Sequence, residues 1–294
     1  MKKLSIIIVS YNTREVTAKC FEHIKKNFQK YPLDYEVVVV DNASTDGSQQ
    51  LLKEKAQQWQ NLKPILSKKN LGYGKGNNLG VANSEGEYVL YLNSDALMGE
   101  VDFNDLLALM DSRPEIGMMT VKVVLPNHEI DPASHRGFPS VWRSFCYYAK
   151  LEKIFGKLPL LNRLFGGYHL THEDLRTIHE IDSPTGAFFL TRKKILDKIG
   201  GFDKEFFMYG EDLDLSFRIK ELGYKIIYYP LYEVLHLKYV SGLKNNDQKV
   251  RIRTQHHFYE AMKIFYRKHY EKKNLFLVNW LVYSFIDIKR KLIK

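Results

Sequence analysis

Through the first 95 residues, short apolar runs alternate with stretches whose apolar positions recur at helical spacing. Residues 4–9 and 36–40 (Glu-Val-Val-Val-Val) are rich in β-branched side chains. Such runs mark strands covered on both faces of a parallel sheet. Between them Val16, Cys20 and Ile24 fall four apart and predict a helix over 14–30. Ser44-Thr45-Asp46 can cap a second helix over about 47–60. Residues 63–67 and 87–92 predict a third and a fourth strand. The order β-α-β-α-β-α-β predicts an α/β fold, with a doubly wound, mainly parallel sheet and right-handed crossovers.

Beyond Asp95 the pattern loosens. A helix is predicted over 102–112 and a strand over 117–125. Residues 126–182 hold Pro126, Pro132, Pro139 and Pro159 among clustered Phe, Tyr, Leu and Lys, and predict short helices and loops. Regular spacing returns with a strand over 187–191, helices over 192–199 and 212–222, and a strand over 225–229 closed by a turn at Pro230. Residues 249–273 predict an amphipathic helix, with Phe258, Met262, Phe265 and Tyr266 set against Arg251, Arg253, Lys263, Arg267 and Lys268. Residues 275–288 are mostly apolar but include Asn279 and Asp287. That run is short of the roughly 20 residues a bilayer span requires. There is no internal repeat and no low-complexity segment.

Composition narrows the class. With 294 residues, 45% hydrophobic, and 17 Phe, 19 Tyr and 3 Trp, the chain can bury a large core, which excludes disorder. Cys20 and Cys146 make neither a disulfide scaffold nor a cysteine zinc site, so a reducing, cytoplasmic setting is expected. The first apolar run is too short for a signal peptide and reads as a buried strand. The net charge of +10 is unevenly placed: residues 249–294 carry 12 Lys or Arg against Glu260, Glu271 and Asp287, leaving about +1 for the rest. Nucleic acid is a poor partner for this tail, because its aromatics are spaced for burial and no binding motif accompanies them. Four uses stay open: packing on the body, a homodimer through the C-terminal helices, an anionic membrane surface at the inner face of the plasma membrane, or, least favoured by its length, a membrane span.

Three predicted strands run straight into polar clusters: Ser10-Tyr11-Asn12, Asp41-Asn42-Ala43-Ser44-Thr45-Asp46 and Asn93-Ser94-Asp95. In a parallel sheet all three lie along the edge where ligands of open α/β folds bind. A carboxylate there can accept from a nucleobase N–H, and a second can hold a divalent ion. Any one cluster could be turn chemistry alone; three on one edge point to a ligand. Residues 70–80 form a glycine-rich turn into a helix, but Gly76 follows Lys75, so it is not a P-loop, and it lacks the dinucleotide fingerprint. Its glycines admit either a phosphate or close packing. Glu211, Asp212 and Asp214 sit on the first turn of a predicted helix, which suits its dipole. Phe206-Phe207-Met208-Tyr209 places an apolar wall beside them, a setting that raises a carboxylate pKa toward general-base work. His236, beyond Pro230, is either structural or a ligand.

Taken together these residues resemble the family 2 glycosyltransferases, which have a GT-A fold, and especially their bacterial rhamnosyltransferase-like branch. The matching segments are 5–12, 37–48, 70–80, 91–95 (Tyr-Leu-Asn-Ser-Asp), 186–190 (Gly-Ala-Phe-Phe-Leu), 200–203 (Gly-Gly-Phe-Asp), 206–215 and His236. They occur in the family's order over about residues 4–242. The resemblance implies an inverting, metal-dependent hexosyltransferase that uses a dTDP- or UDP-linked sugar and a glycan or lipid-linked acceptor. It implies that Tyr11 and Asp41 face the base and ribose, within a donor site of Ser10, Asn12, Asn42, Asn77, Asn93, Ser94, Gly186 and Ala187. Asn93-Ser94-Asp95 stands where the family has its D-x-D motif, with Asn for the first Asp. Asp95 and His236 would hold Mg²⁺ or Mn²⁺. Asp212 looks like the base, and Glu211 would orient it or touch the acceptor. The resemblance divides the chain into a GT-A domain over 1–248, with a nucleotide half (1–95) and an acceptor half (96–248), and a basic amphipathic helical tail over 249–294. The alternatives are a nucleotidyltransferase, whose expected N-terminal glycine signature is missing, and a non-catalytic nucleotide-binding scaffold.

Overall fold

The computed structural model describes residues 2–238 and 248–293, so the last four positions of the resembling stretch, 239–242, and the tail's final Lys294 lie outside it. Strands β1 (Leu4–Ser10) and β2 (Tyr35–Asp41) are almost wholly buried, as their continuous apolar runs require. Between them α1 (Arg14–Lys30) turns Cys20, Phe21, Ile24 and Phe28 inward. Helix α2 (Ser48–Gln58) follows Gly47, whose φ is +87°, and the Ser48 N–H donates to Asp46 Oδ1 at 3.0 Å. The capping expected of residues 44–46 thus falls to Asp46. Then come β3 (Leu62–Leu66), α3 (Tyr73–Ala82) and β4 (Tyr88–Leu92). Strands β3, β2, β1 and β4 lie side by side in that order, all parallel. Helix α3 rests close against β1: a Cβ at Gly76 would stand 3.1 Å from a Val9 methyl carbon. Close packing is therefore what Gly76 provides.

Next in the chain are β5 (Ala96–Met98), α4 (Phe103–Ser112, capped by Asp102) and β6 (Ile116–Val124). The irregular stretch supplies α5 (Val141–Tyr148), α6 (Leu151–Phe155) and α7 (Leu161–Phe165), then β7 (His179–Ile181). Strand β8 (Phe188–Arg192), α8 (Lys193–Ile199), α9 (Glu211–Glu221) and β9 (Lys225–His236) complete the sheet. This half is mixed. Strand β8 runs antiparallel between β4 and β6, while β6 and β9 are parallel and β5 and β7 pair antiparallel with β9. Two hydrophobic layers clasp the sheet: Ile6, Ile8, Val37 and Val39 face Phe21, Phe103 and Leu106 on one side, while Ile7, Val38 and Tyr91 face Ile195, Phe202 and Leu215 on the other.

One boundary differs from expectation. Strand β9 does not stop before Pro230 but continues to His236. Its register against β6 steps from Val121↔Tyr229 to Lys122↔Glu233, so residues 230–232 bulge out of the ladder. A proline costs no ladder hydrogen bond at such a place. His236 is accordingly the last residue of a strand, paired with Ala96, and not a residue beyond a turn.

At the C-terminus α10 (Gln248–His269) packs on the body. Its Ala261, Ile264 and Phe265 close a small core with Phe206, and His269 Nε2 lies 2.9 Å from Asp214 Oδ1. Asp214 is fully buried and is also held by Arg218 at 2.7 Å. Helix α11 (Phe276–Lys291) is tied to α10 by the Lys263–Asp287 pair at 2.5 Å and by Tyr266 Oη donating to Asn279 Oδ1 at 2.6 Å. No helix among the described residues is long and apolar enough to cross a membrane.

Candidate active site

The parallel register brings the strand-end clusters together. Ser10 pairs with Asp41, and the Asn42 N–H donates to Ser10 O at 2.8 Å. Asn12 locks the two loops together: its N–H donates to Ser44 Oγ at 2.9 Å and its Oδ1 accepts from the Thr45 N–H at 2.8 Å. Ser10 Oγ is engaged by Thr13 and Thr17, and Asn42 clamps the glycine-rich turn through Leu71 N and Gly72 O. Those side chains build the loop walls. Tyr11 is the member that stands out to solvent, 39% exposed. Asp41 Oδ1 accepts from Ser44 N and Gln49 Nε2, while its buried Oδ2 has no partner. An orphaned carboxylate oxygen of this kind fits an N–H or O–H brought by a ligand.

At the end of β4, Asn93, Ser94 and Asp95 face the end of β9. His236 Nε2 lies 3.4 Å from Asp95 Oδ1 and 3.3 Å from Asn93 Nδ2. On its other side Nδ1 meets Asp131 Oδ2 at 2.8 Å, and Lys238 Nζ donates to Asp131 Oδ1 at 2.7 Å. Burial works against a charged imidazole, but the Asp131 and Asp95 carboxylates outweigh it and push His236 up to about 9. Burial alone would raise the Asp131 carboxyl; the bonds from His236 and Lys238 hold it well below its ordinary range. Ser94 Oγ reaches back to Thr13 at 3.3 Å and does not join this group.

Tyr73 links the two halves. Its hydroxyl lies 2.9 Å from Asn93 Oδ1 and 3.1 Å from Gly186 O. Burial, followed by the charges of Glu211 and Asp212, drives its pKa well above 10. Asn77 donates to Tyr73 O at 3.0 Å, and its Oδ1 is buried without a partner. Ala187 is packed wholly in the core, so Gly186 is the member of that pair at the site.

Both acids at the start of α9 are present but unlike. Asp212 Oδ2 accepts from Arg136 at 2.6 Å, and Arg136 also donates to Pro184 O at 2.8 Å. Glu211 is buried, and its Oε2 has no partner. Burial, aided by the neighbouring Asp212 charge, pushes Glu211 up to about 8. Its proton is therefore retained at neutral pH and given up above it. Because the folded value lies above the unfolded one, stability is complete below about pH 4.5 and falls as pH rises through 8. The melting temperature of the wild type should drop by several degrees relative to Glu211→Gln between pH 5 and 9. Parallel melting curves would discount the buried, protonated state.

Asp131, Arg136 and Tyr73 were not marked by sequence. The first two lie in the irregular stretch, and Tyr73 sits inside the glycine-rich turn. A groove of about 330 Å³ between α9 and α10, lined by Asp203, Asp214, Arg218, Lys268 and His269, is crossed by its own ion pairs.

Known proteins match this chain in sequence and in fold. The family described as glycosyl transferase family 2 matches residues 5–200, and that described as glycosyl transferase family group 2 matches 168–280. The N-acetylglucosaminyl-diphospho-decaprenol L-rhamnosyltransferase of Mycobacterium tuberculosis is 29% identical over 214 residues, which cover 69% of this chain and 66% of that protein. This chain thus spans just under two thirds of that relative. Rhamnosyltransferase WbbL of Escherichia coli is 26% identical over 238 residues, 79% of this chain and 82% of WbbL. Among solved structures, the mannosyltransferase PcManGT of Pyrobaculum calidifontis, in complex with GDP-Man and Mn²⁺, covers 90% of this chain and 64% of its own, with a TM-score of 0.57 and 18% identity. That likeness shows the fold.

Proposed function

The chain belongs to glycosyltransferase family 2 and to its rhamnosyltransferase-like branch, and from that premise we propose that it is a sugar transferase of cell-surface glycan synthesis. It moves a sugar from a nucleotide-diphospho-sugar to a hydroxyl of a glycan or lipid-linked acceptor and inverts the anomeric centre. The names of the two curated relatives make L-rhamnose the first sugar to try. Residues 1–248 form the transferase domain, whose first 95 residues hold the nucleotide, and 249–294 are its helical extension.

The observation that carries this reading is the chain of contacts from Asp95 through His236, Asn93 and Tyr73 to Gly186, beside Glu211 and Asp212. Asp41 Oδ2 takes a donor from the base or ribose, and Tyr11 covers it. Asp95 and His236 would hold a divalent cation, a carboxylate and an imidazole side by side with the imidazole fixed from behind by Asp131. On binding it, His236 would give up the proton that the two carboxylates otherwise keep on it. No group of three or more His, Cys, Asp or Glu among the described residues could hold an ion, so phosphate oxygens would complete the coordination. When bound, Mg²⁺ or Mn²⁺ supplies charge neutralisation for the departing diphosphate.

Asp212 accepts the proton of the acceptor hydroxyl, whose oxygen forms the new bond to the anomeric carbon. The old carbon–oxygen bond breaks on the opposite face, and its electron pair leaves with the diphosphate. Arg136 holds Asp212 in one orientation throughout. Protonated Glu211 serves as a donor toward the acceptor. Neither a nucleotidyltransferase nor a non-catalytic scaffold is favoured by any feature of the site.

The direct test is a thermal-shift screen of dTDP- and UDP-linked sugars with and without Mn²⁺ or Mg²⁺. The true donor with its ion should stabilise by about 2.7 kcal/mol at a hundredfold excess over Kd. No response to either donor class with either ion would remove the reading.

A further inference from the structure

We infer that α5–α7 and α11 form one surface that docks on an anionic lipid bilayer, with residues 141–165 as its second half. The transferase reading above gives that surface a purpose, since a lipid-linked acceptor would lie in the same bilayer.

Both segments expose apolar side chains that a body-packing role would have buried. On α5–α7 and their connections Trp142, Phe145, Ile154, Leu160 and Leu164 are 45–86% exposed. On α11, Leu277, Leu281, Ile288 and Leu292 recur at helical spacing and are 53–65% exposed, while Ile286 on the opposite side is 2% exposed. The segments are neighbours: the Tyr148 and Phe285 rings meet at 5.0 Å, and Lys289 Nζ stands over both. The excursion also begins and ends at the site. Arg136, at its root, holds Asp212, and the Gly137 N–H donates to Tyr168 O at 2.8 Å across its two ends.

Charge decides the occupant. Residues 141–165 contain Lys150, Lys153, Lys157 and Arg163, besides Arg143, which is paired with Asp182, against one acid, Glu152, which is already bound to His169. Lys272 and Lys273 precede α11, and Lys289, Arg290 (paired with Glu260) and Lys291 form its last turn; its one acid, Asp287, is paired with Lys263. A second copy of the chain would set these like charges against each other; anionic headgroups match them. Helix α11, at 16 residues, is about 24 Å long, and no described helix can cross a membrane, so it lies in the interface plane.

The test is flotation of full-length protein with phosphatidylcholine vesicles, with and without phosphatidylglycerol. Leu160→Glu and Leu277→Glu are compared separately with Leu231→Glu, an exposed site on the β9 bulge outside both segments. Wild type and the Leu231 variant should float with anionic vesicles and sink with neutral ones. Each of the other two variants should lose about tenfold in recovery. Equal flotation on both vesicle types, or an unaffected Leu160→Glu, would overturn the inference. So would a wild-type dimer, by light scattering, that either variant dissolves, since the face would then belong to a second copy. Flotation needs neither donor nor acceptor, so it stands or falls apart from the transferase assay. Both variants should keep the donor-induced thermal shift.

Discussion

Asp212→Asn is expected to lower sugar transfer by about 10²–10⁴-fold, the range for loss of a general base, with the donor's thermal stabilisation retained. The two adjacent acids answer differently because their surroundings separate them. Glu211 is buried without a partner for Oε2 and carries its proton up to about pH 8. Asp212 instead accepts from the Arg136 guanidinium at Oδ2 and from its neighbour Leu213 N at Oδ1, 2.8 Å away. A protonated carboxyl beside a carboxylate held by a guanidinium is an arrangement that can divide donor and base roles between two neighbours. An asparagine keeps the shape of Asp212 but has no lone pair basic enough to take a hydroxyl proton. It also strips the largely buried Arg136 pair of its negative member, which lowers the melting temperature, so rates must be read well below the variant's transition. Glu211→Gln keeps a neutral side chain of the same size and should cost transfer less than about tenfold at neutral pH. Near-normal turnover in Asp212→Asn, or a larger loss in Glu211→Gln, would reassign the base.

The parallel half of the fold was legible because strands buried on both faces write continuous apolar runs, as residues 4–9 and 36–40 do. Strand direction is not written that way. The run at 187–191 predicts a strand, but nothing in it says that β8 runs antiparallel between β4 and β6. Pro230 reads as a stop, and only the register step against β6 shows why the strand can pass it. In the site, residues that end strands announced themselves through Asn, Ser and Asp after apolar runs. Asp131 and Arg136 did not, because each acts across a fold-made contact, 105 residues from His236 and 76 from Asp212. Charge was hidden by averaging: a near-neutral total over 1–248 conceals the basic, apolar excursion at 141–165.

Asp95→Ala and His236→Ala should each reduce transfer by at least about 100-fold and abolish the extra stabilisation that Mn²⁺ gives to bound donor. Two protein donors are few for a divalent ion, so losing either leaves little to hold it apart from the substrate's phosphates. The proposed base and ribose contacts, Asp41 and Tyr11, lie on other loops, so a nucleotide should still bind these variants weakly without metal. Asp131→Asn separates holding the imidazole from holding the ion. Asp131 touches Nδ1 of His236 and Lys238 Nζ but is 0% exposed, so it fixes which nitrogen faces Asp95 without reaching the ligand. That variant should lose about 10–100-fold in metal affinity, the cost of a missing outer partner, with metal-free nucleotide binding unchanged. Mn²⁺ titrations followed by electron paramagnetic resonance would rank the variants. If His236→Ala binds Mn²⁺ and donor as the wild type does, the ion sits elsewhere, and the Asp131–His236–Asp95 line is an ion-pair brace between β9 and the end of β4.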